Sequence, residues 1–153
     1  MAANWVSVQG NTIVSDFEHP VVIEYHRNGA VIKPKGGATM GVFHACLPNS
    51  PNGSAKLDKL EVRHTHILSK TTEIEIHHDN SIMYKGLPSS PSDAVDISSV
   101  HLNVDGDPDH FGWGVSITVE FLGSSSVLFV SSLTMTFKKW KCYGFMDMNW
   151  MDP

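Results

Sequence analysis

The feature that most constrains this chain is a two-residue alternation of apolar and polar side chains, with helical periodicity almost absent. In Gly114–Leu122, Val115, Ile117, Val119 and Phe121 fall on one phase, and Ser116, Thr118 and Glu120 on the other. In Ile97–Val104, Val100, Leu102 and Val104 alternate with Ser99, His101 and Asn103. Side chains repeating at every second residue line one face of a β-strand. Val127–Lys138 keeps a phase through Val127, Phe129, Ser131, Leu133, Met135 and Phe137, while Leu128 and Val130 make its start apolar on both sides. That pattern predicts a central strand.

Gly, Pro, Asn and Ser interrupt the alternation every ~8–12 residues, the spacing of a sandwich or barrel. Strands are predicted at Asn4–Val8, Thr12–Ser15, Val21–His26, Ala30–Lys33, Gly41–Cys46, Lys59–Ile67, Thr72–His78 and Ser81–Lys85. They continue at Ile97–Val104, Gly114–Leu122, Val127–Lys138 and Lys141–Phe145. Asn28-Gly29 is a hairpin signal, and Gly123-Ser124-Ser125 links two long strands in the same way. Leu47–Ala55 and Gly86–Asp96 read as loops. The expectation is an all-β, single-domain antiparallel β-sandwich over residues 1–153, jelly-roll-like with Greek-key connections. A partly closed barrel is the alternative. Residues 142–153, rich in Met and aromatics, are expected to pack on the sandwich as a tail, or to form a dimer contact.

Size allows one such domain: 153 residues can bury most of their unfolded surface without a disulfide or metal. The net charge of −5 argues against a nucleic-acid partner, which requires a basic face. Lys138, Lys139 and Lys141 around Trp140 read as edge-strand charges. No apolar run is long enough to span a membrane. The opening residues lack the charged and apolar regions of a signal peptide, so an intracellular, cytoplasmic protein with reduced Cys46 and Cys142 is expected.

The densest chemistry lies in Leu60–Asp79, read as a hairpin. A turn at Leu68–Thr71 puts His66 opposite Glu73, His64 opposite Glu75 and Val62 opposite His77. Opposed residues share a face, so this register gathers His64, His66, His77, Glu73 and Glu75. His64 and His66 continue the apolar phase of Leu60 and Val62, which suggests the mouth of a cavity. His64, His66 and Glu75 are the candidate acid–base residues. His77, Glu73, His44, Trp113 and Trp150 are candidate ligand contacts. His64, His66 and His77 are the candidate metal ligands, imidazole being suited to iron, zinc, copper or manganese. The spacing departs from that of cupin metal sites, and a one-residue slip would remove both glutamates from the face. The bland reading is cross-strand His–Glu pairs on a wet surface.

Other motifs are weaker. Asp105–His110 is acidic but lacks the Gly and Glu that a calcium loop needs at its sixth and twelfth positions. Phe111-Gly-Trp-Gly lets a flat ligand approach Trp113, or marks a core Trp beside a bulge. His44 and Cys46 share a strand face, though a thiol in an apolar strand is usually inert. No GxSxG, P-loop, HExxH or kinase pattern occurs.

Several stretches together resemble a small all-β family of unknown function found in bacteria and fungi. They are Asn4-Trp-Val with Gly10-Asn11, the run from Phe43-His44 to Pro51, and the paired strands beginning at Gly112 and Leu128. The resemblance implies a compact antiparallel fold and supplies no catalytic residue. The leading functional expectation is a small-molecule-binding β-sandwich, for carbohydrate or a hydrophobic metabolite, with a His/Glu-edged pocket. The alternatives are an enzyme using that pocket, cofactor-free as a cyclase or isomerase or else metal-dependent, and a homodimeric interaction protein. The cofactor is expected to be none, with a metal ion second, and the protein a monomer or homodimer.

Overall fold

The computed structural model describes residues 5–48, 56–78, 81–87, 97–105 and 112–138. The strands are β1 (Trp5–Gln9), β2 (Val14–Ser15), β3 (Val21–His26), β4 (Gly29–Pro34), β5 (Met40–Leu47) and β6 (Lys56–Ile67). They continue as β7 (Ser69–His78), β8 (Ser81–Gly86), β9 (Ile97–Asp105), β10 (Trp113–Phe121) and β11 (Val127–Lys138). One 3-10 turn, Gly10–Thr12, separates β1 from β2. The predicted strand Lys141–Phe145, residues 106–110 of the acidic turn and the tail 142–153 lie outside the described residues.

Two antiparallel sheets face each other. The first runs β3-β4-β11-β6-β9, with β1 also paired to β11; the second runs β2-β5-β10-β7-β8. From β4 onward the order is a jelly roll, the chain filling β4-β11-β6-β9 and β5-β10-β7-β8. Neither sheet closes on itself, so the protein is a sandwich and not a barrel.

The core is the inward phase of both sheets. Leu57, Leu60, Leu128, Val130, Leu133 and Met135 from the first meet Phe43, Ile74, Ile76, Val115, Ile117 and Val119 from the second, all at most 1% exposed. Burying a side chain of this size contributes roughly 1.5–3 kcal/mol, which orders the backbone around it. β11 departs from a single phase. A bulge between Val130 and Ser132 shifts its register against β6, so Leu128 and Val130 point inward before it and Leu133, Met135 and Phe137 after it. Val127 and Phe129, expected to share the phase of Leu133, are only half-buried on the other face. The extra residue reverses the alternation.

Gly10 is buried against the Val130 carbonyl, at the seam where β1 and β4 meet along the edge of β11, and a Cβ there would overlap that oxygen. At the outer edge of this sheet, β3 and β4 form the expected hairpin, with His26 opposite Gly29 across the tight turn.

Two expected hairpins are instead crossings between sheets. β6 pairs with β11 and β9, while β7 pairs with β10 and β8, so β6 and β7 do not pair. The chain changes sheet at Leu68, which takes the left-handed conformation with φ 50°. The Gly123–Ser126 turn likewise carries the chain from β10 to β11 in the opposite sheet. The two corners are joined. The Leu68 carbonyl accepts from the Leu122 N–H at 2.9 Å and from the Ser126 hydroxyl at 2.5 Å.

Candidate functional site

The crossing at Leu68 dismantles the expected His/Glu cluster and distributes it over two environments. Inward phase on β6 puts His64 between the sheets, 5% exposed, against Phe43, Val62, Thr71, Ile74, Ile117, Leu128 and Val130. The space among these side chains does not admit a water molecule. His66, one step nearer the corner, tilts against His64 with ring centroids 4.1 Å apart and places Nε2 3.1 Å from Thr71 Oγ1. Burial disfavours the charged form of both rings. Desolvation, and then the neighbouring His66, push His64 down from 6.5 to about 4, and desolvation lowers His66. The continuation of the Leu60–Val62 face is therefore closed interior at His64 and becomes half-buried at His66.

Glu73, Glu75 and His77 take the outward phase of β7, because Thr71, Ile74, Ile76 and His78 take the inward one. A bulge at Thr72 reconciles the Thr71 and Ile74 phases. The expected metal set His64, His66 and His77 is thus divided by the sheet itself, and the acid–base set His64, His66 and Glu75 is divided in the same way. Among the described residues, no three His, Cys, Asp or Glu side chains converge as metal ligands.

What the outer face of the second sheet does assemble is a cleft of about 790 Å³. The registers build it in rows. Ser116 on β10 lies opposite His44 on β5 and Glu75 on β7, and Glu75 lies opposite Lys85 on β8. Thr118 lies between Val42 and Glu73, and Gly114 between Cys46 and His77. Gly114 has no side chain, so its row is low between an exposed thiol and an imidazole. The Asp16–His19 loop closes one side. It is fastened to β5 by Asp16 N–H to the Val42 carbonyl at 3.0 Å and by Val42 N–H to the His19 carbonyl at 2.8 Å.

Within this cleft Asp16, His44 and Ser116 form a continuous chain. Asp16 Oδ1 is 2.6 Å from His44 Nε2, and His44 Nδ1 is 2.7 Å from Ser116 Oγ. Asp16 Oδ2 accepts from the backbone N–H groups of His19 at 2.8 Å and Glu18 at 3.0 Å. The His19 N–H, followed by the His44 hydrogen bond, holds the Asp16 carboxyl below its usual range, so it is a carboxylate at neutral pH. A second pair, His77 Nε2 and Glu75 Oε1, is 2.8 Å apart on the opposite wall.

Of the expected site residues, His44, Glu73, Glu75 and His77 line this one cleft. Trp113 does not. It takes the inward phase of β10, is 2% exposed, stacks on His78 at 4.1 Å and leans on Phe137 at 6.0 Å. Its ring is committed to the core and offers no outer face to a sugar. Trp150 lies outside the described residues.

Sequence reasoning misses Asp16, Ser116 and Lys85. The usable signal for Ser116 is its phase, opposite to Val115 and Ile117. For Asp16 it is the Asp-Phe-Glu-His-Pro turn, whose carboxylate caps the N–H groups two and three residues on. What alternation does not supply is that β5 lies beside β10.

No known protein-family profile matches the chain, and no curated protein matches it. Among solved structures, it is similar to the xylan-binding module CBM86 from Roseburia intestinalis, at 13% identity with a TM-score of 0.51, covering 88% of this chain and 96% of that one. It also aligns with the CBM36-1 domain of a xylanase from a Trinervitermes trinervoides hindgut metagenome, at 10% identity and TM-score 0.49, covering 90% of this chain and all of that domain (100%). A third match is the Podospora anserina GH26-CBM35 mannanase, at 15% identity and TM-score 0.49, covering 92% of this chain. The chain spans 29% of the length of that mannanase. At these identities, what the likeness to the xylan-binding module shows is a shared β-sandwich fold.

Proposed function

We propose that this chain is a carbohydrate-binding β-sandwich whose ligand lies in the cleft across β5, β10 and β7. The observation that carries this reading is the chemistry of the cleft lining. Asp16, Glu73, Glu75, His44, His77, Ser116, Thr118 and Lys85 present acceptors and donors at the spacing of adjacent strands, with Met40 and Val42 as the apolar part of the lining. A pyranose offers neighbouring hydroxyls that donate to carboxylates and accept from imidazole or ammonium groups. The fold shared with a xylan-binding module supports the same ligand class. A hydrophobic metabolite fits less well, because the walls are polar.

Among the described residues lining the cleft there is no Trp, Tyr or Phe. Recognition then rests on hydrogen bonds, each of which contributes only ~0.5–1.5 kcal/mol net against water. A dissociation constant near 1 mM, about −4 kcal/mol, is the expected scale. Calorimetry with neutral xylo-, manno- and gluco-oligosaccharides tests the proposal. Saturable binding that weakens in Glu75→Gln supports it, and no heat at millimolar ligand with the folded protein removes it.

The cofactor-free enzyme alternative has its own support in the two His–carboxylate pairs, either of which can exchange a proton with a bound hydroxyl.

A further inference from the structure

The Asp16–His44–Ser116 chain has a directional logic that sugar binding does not require. The Asp16 carboxylate can only accept, so His44 Nε2 carries the proton that bridges their 2.6 Å contact. In a neutral imidazole the other nitrogen is then an acceptor, so the 2.7 Å contact at Nδ1 requires Ser116 to donate its hydroxyl proton. The serine is held with its proton on a base and an oxygen lone pair facing the cleft. Two backbone N–H groups fix the carboxylate that orients the base. Nucleophile, base and orienting acid within hydrogen-bond reach are the arrangement of covalent acyl transfer, whatever the fold or chain order.

We infer that Ser116 is a nucleophile toward carboxylic esters, with His44 as its base and Asp16 as the positioning residue. The inference rests on the carbohydrate reading only for the alcohol half of the substrate, which would be an O-acylated sugar. In the first half-reaction, Ser116 Oγ bonds to the ester carbonyl carbon as its proton passes to His44 Nδ1. The carbonyl carbon–alkoxy oxygen bond then breaks, and the departing oxygen takes that proton to leave as the sugar hydroxyl. In the second, water gives a proton to His44 and attacks the acyl-serine. The acid departs, and the proton returns to Ser116 Oγ.

The oxyanion partner sets the pace. β10 is paired on both sides, so its ladder occupies the backbone N–H groups that usually serve. Side-chain donors remain, with Lys85 and His77 lining the same cleft. A missing oxyanion donor costs ~100–1,000-fold in rate. Activated esters are therefore the substrates on which the nucleophile shows itself.

The test uses the full chain carrying Cys46→Ala, since the exposed thiol would itself react, and p-nitrophenyl acetate as the probe. The expected result is a burst of nitrophenolate and one acetyl group, mapped to the Ser116 peptide. The burst should disappear in Ser116→Ala, which has no Oγ to acylate. Its rate should fall about 100-fold in Asp16→Asn, the scale of a lost general-base pathway, because the amide N–H would donate to Nε2 and turn the His44 proton toward the serine. Folding of each variant is checked by circular dichroism, because a merely structural hydrogen bond would change stability and not labelling. Absence of acetyl on Ser116 in the folded protein overturns the inference, as does equal labelling in Asp16→Asn. Oligosaccharide calorimetry in parallel separates the two claims. Labelling without sugar binding removes the sugar and keeps the nucleophile, and sugar binding without labelling does the reverse.

Discussion

Four of the nine histidines contrast sharply, two packed against each other in a dry setting and two paired with carboxylates in a wet one, and the contrast shows how one side chain meets opposite environments. His64 and His66 sit between the sheets or at their margin, in contact with each other, with burial pressing both toward the neutral form. His44 and His77 lie on the outer face of the second sheet, each beside a carboxylate at 2.6 and 2.8 Å. The interior pair fills space and makes a hydrogen bond to Thr71. The exterior pairs face the cleft, each imidazole in contact with a carboxylate. Only strand phase and the sheet that each strand enters separate the two fates.

The largest expected effect tests the interior side. Ile76→Ala, on the inward phase of β7 and fully buried, should cost about 2–5 kcal/mol in urea unfolding. Its neighbour Glu75→Ala, on the outward phase, should stay within about 1 kcal/mol of the parent, since its partner His77 is a third exposed. Equal losses at the two positions would break the division into inner and outer phases.

The next effect is a pH dependence with a definite sign. An unfolded His64 takes up a proton near pH 6.5, but the folded protein resists until about pH 4. Between those values the unfolded state binds more protons, so stability is intact above pH 6.5 and declines as the pH falls toward 4. The loss approaches about 3 kcal/mol, at 1.36 kcal/mol per pH unit. Chemical denaturation across this window should show the decline, and His64→Leu should flatten it. A slope unchanged in the variant would assign the acid sensitivity to other groups.

On the exterior side, His77→Ala should weaken oligosaccharide binding about tenfold, the equivalent of one good hydrogen bond. His66→Ala should leave calorimetric binding unchanged and lower the melting temperature. The reverse pattern would move the site to the interior. The smallest effect concerns the corner that creates the contrast. Leu68→Asn should raise stability by about 0.5 kcal/mol, because Asn tolerates the left-handed conformation better than Leu.

Much of the fold is legible because alternation reports strands directly. β3 and β11 appear within the bounds their sequences suggest, and the inward phase of β10 is as expected. Alternation says which residues share a face, but not which strand lies alongside or where a chain changes sheet. The Leu-Ser-Lys-Thr stretch after Ile67 carries no glycine to flag a left-handed residue, so a crossing at Leu68 reads like a hairpin turn. That single difference of topology splits the cluster. Four of its expected members and neighbours, His44, Glu73, Glu75 and His77, nevertheless share the cleft, because they take the outward phase on β5 and β7. Of the two readings of Trp113, a ligand contact beside flanking glycines and a core residue, its phase with Val115 and Ile117 and its burial fit the core. The bulge in β11 is not legible, since one extra residue leaves no compositional trace.

The carbonyl of Leu68 receives one hydrogen bond from each end of the Gly123–Ser126 turn region, at Leu122 and Ser126. The groups it joins are 58 positions apart in the case of Ser126. A bond between groups so far apart in sequence closes a long loop, which makes it a slow contact to form. The cleft rests on it: β7, which carries Glu75 and His77, leaves the first corner, and β10, which carries Ser116, runs into the second.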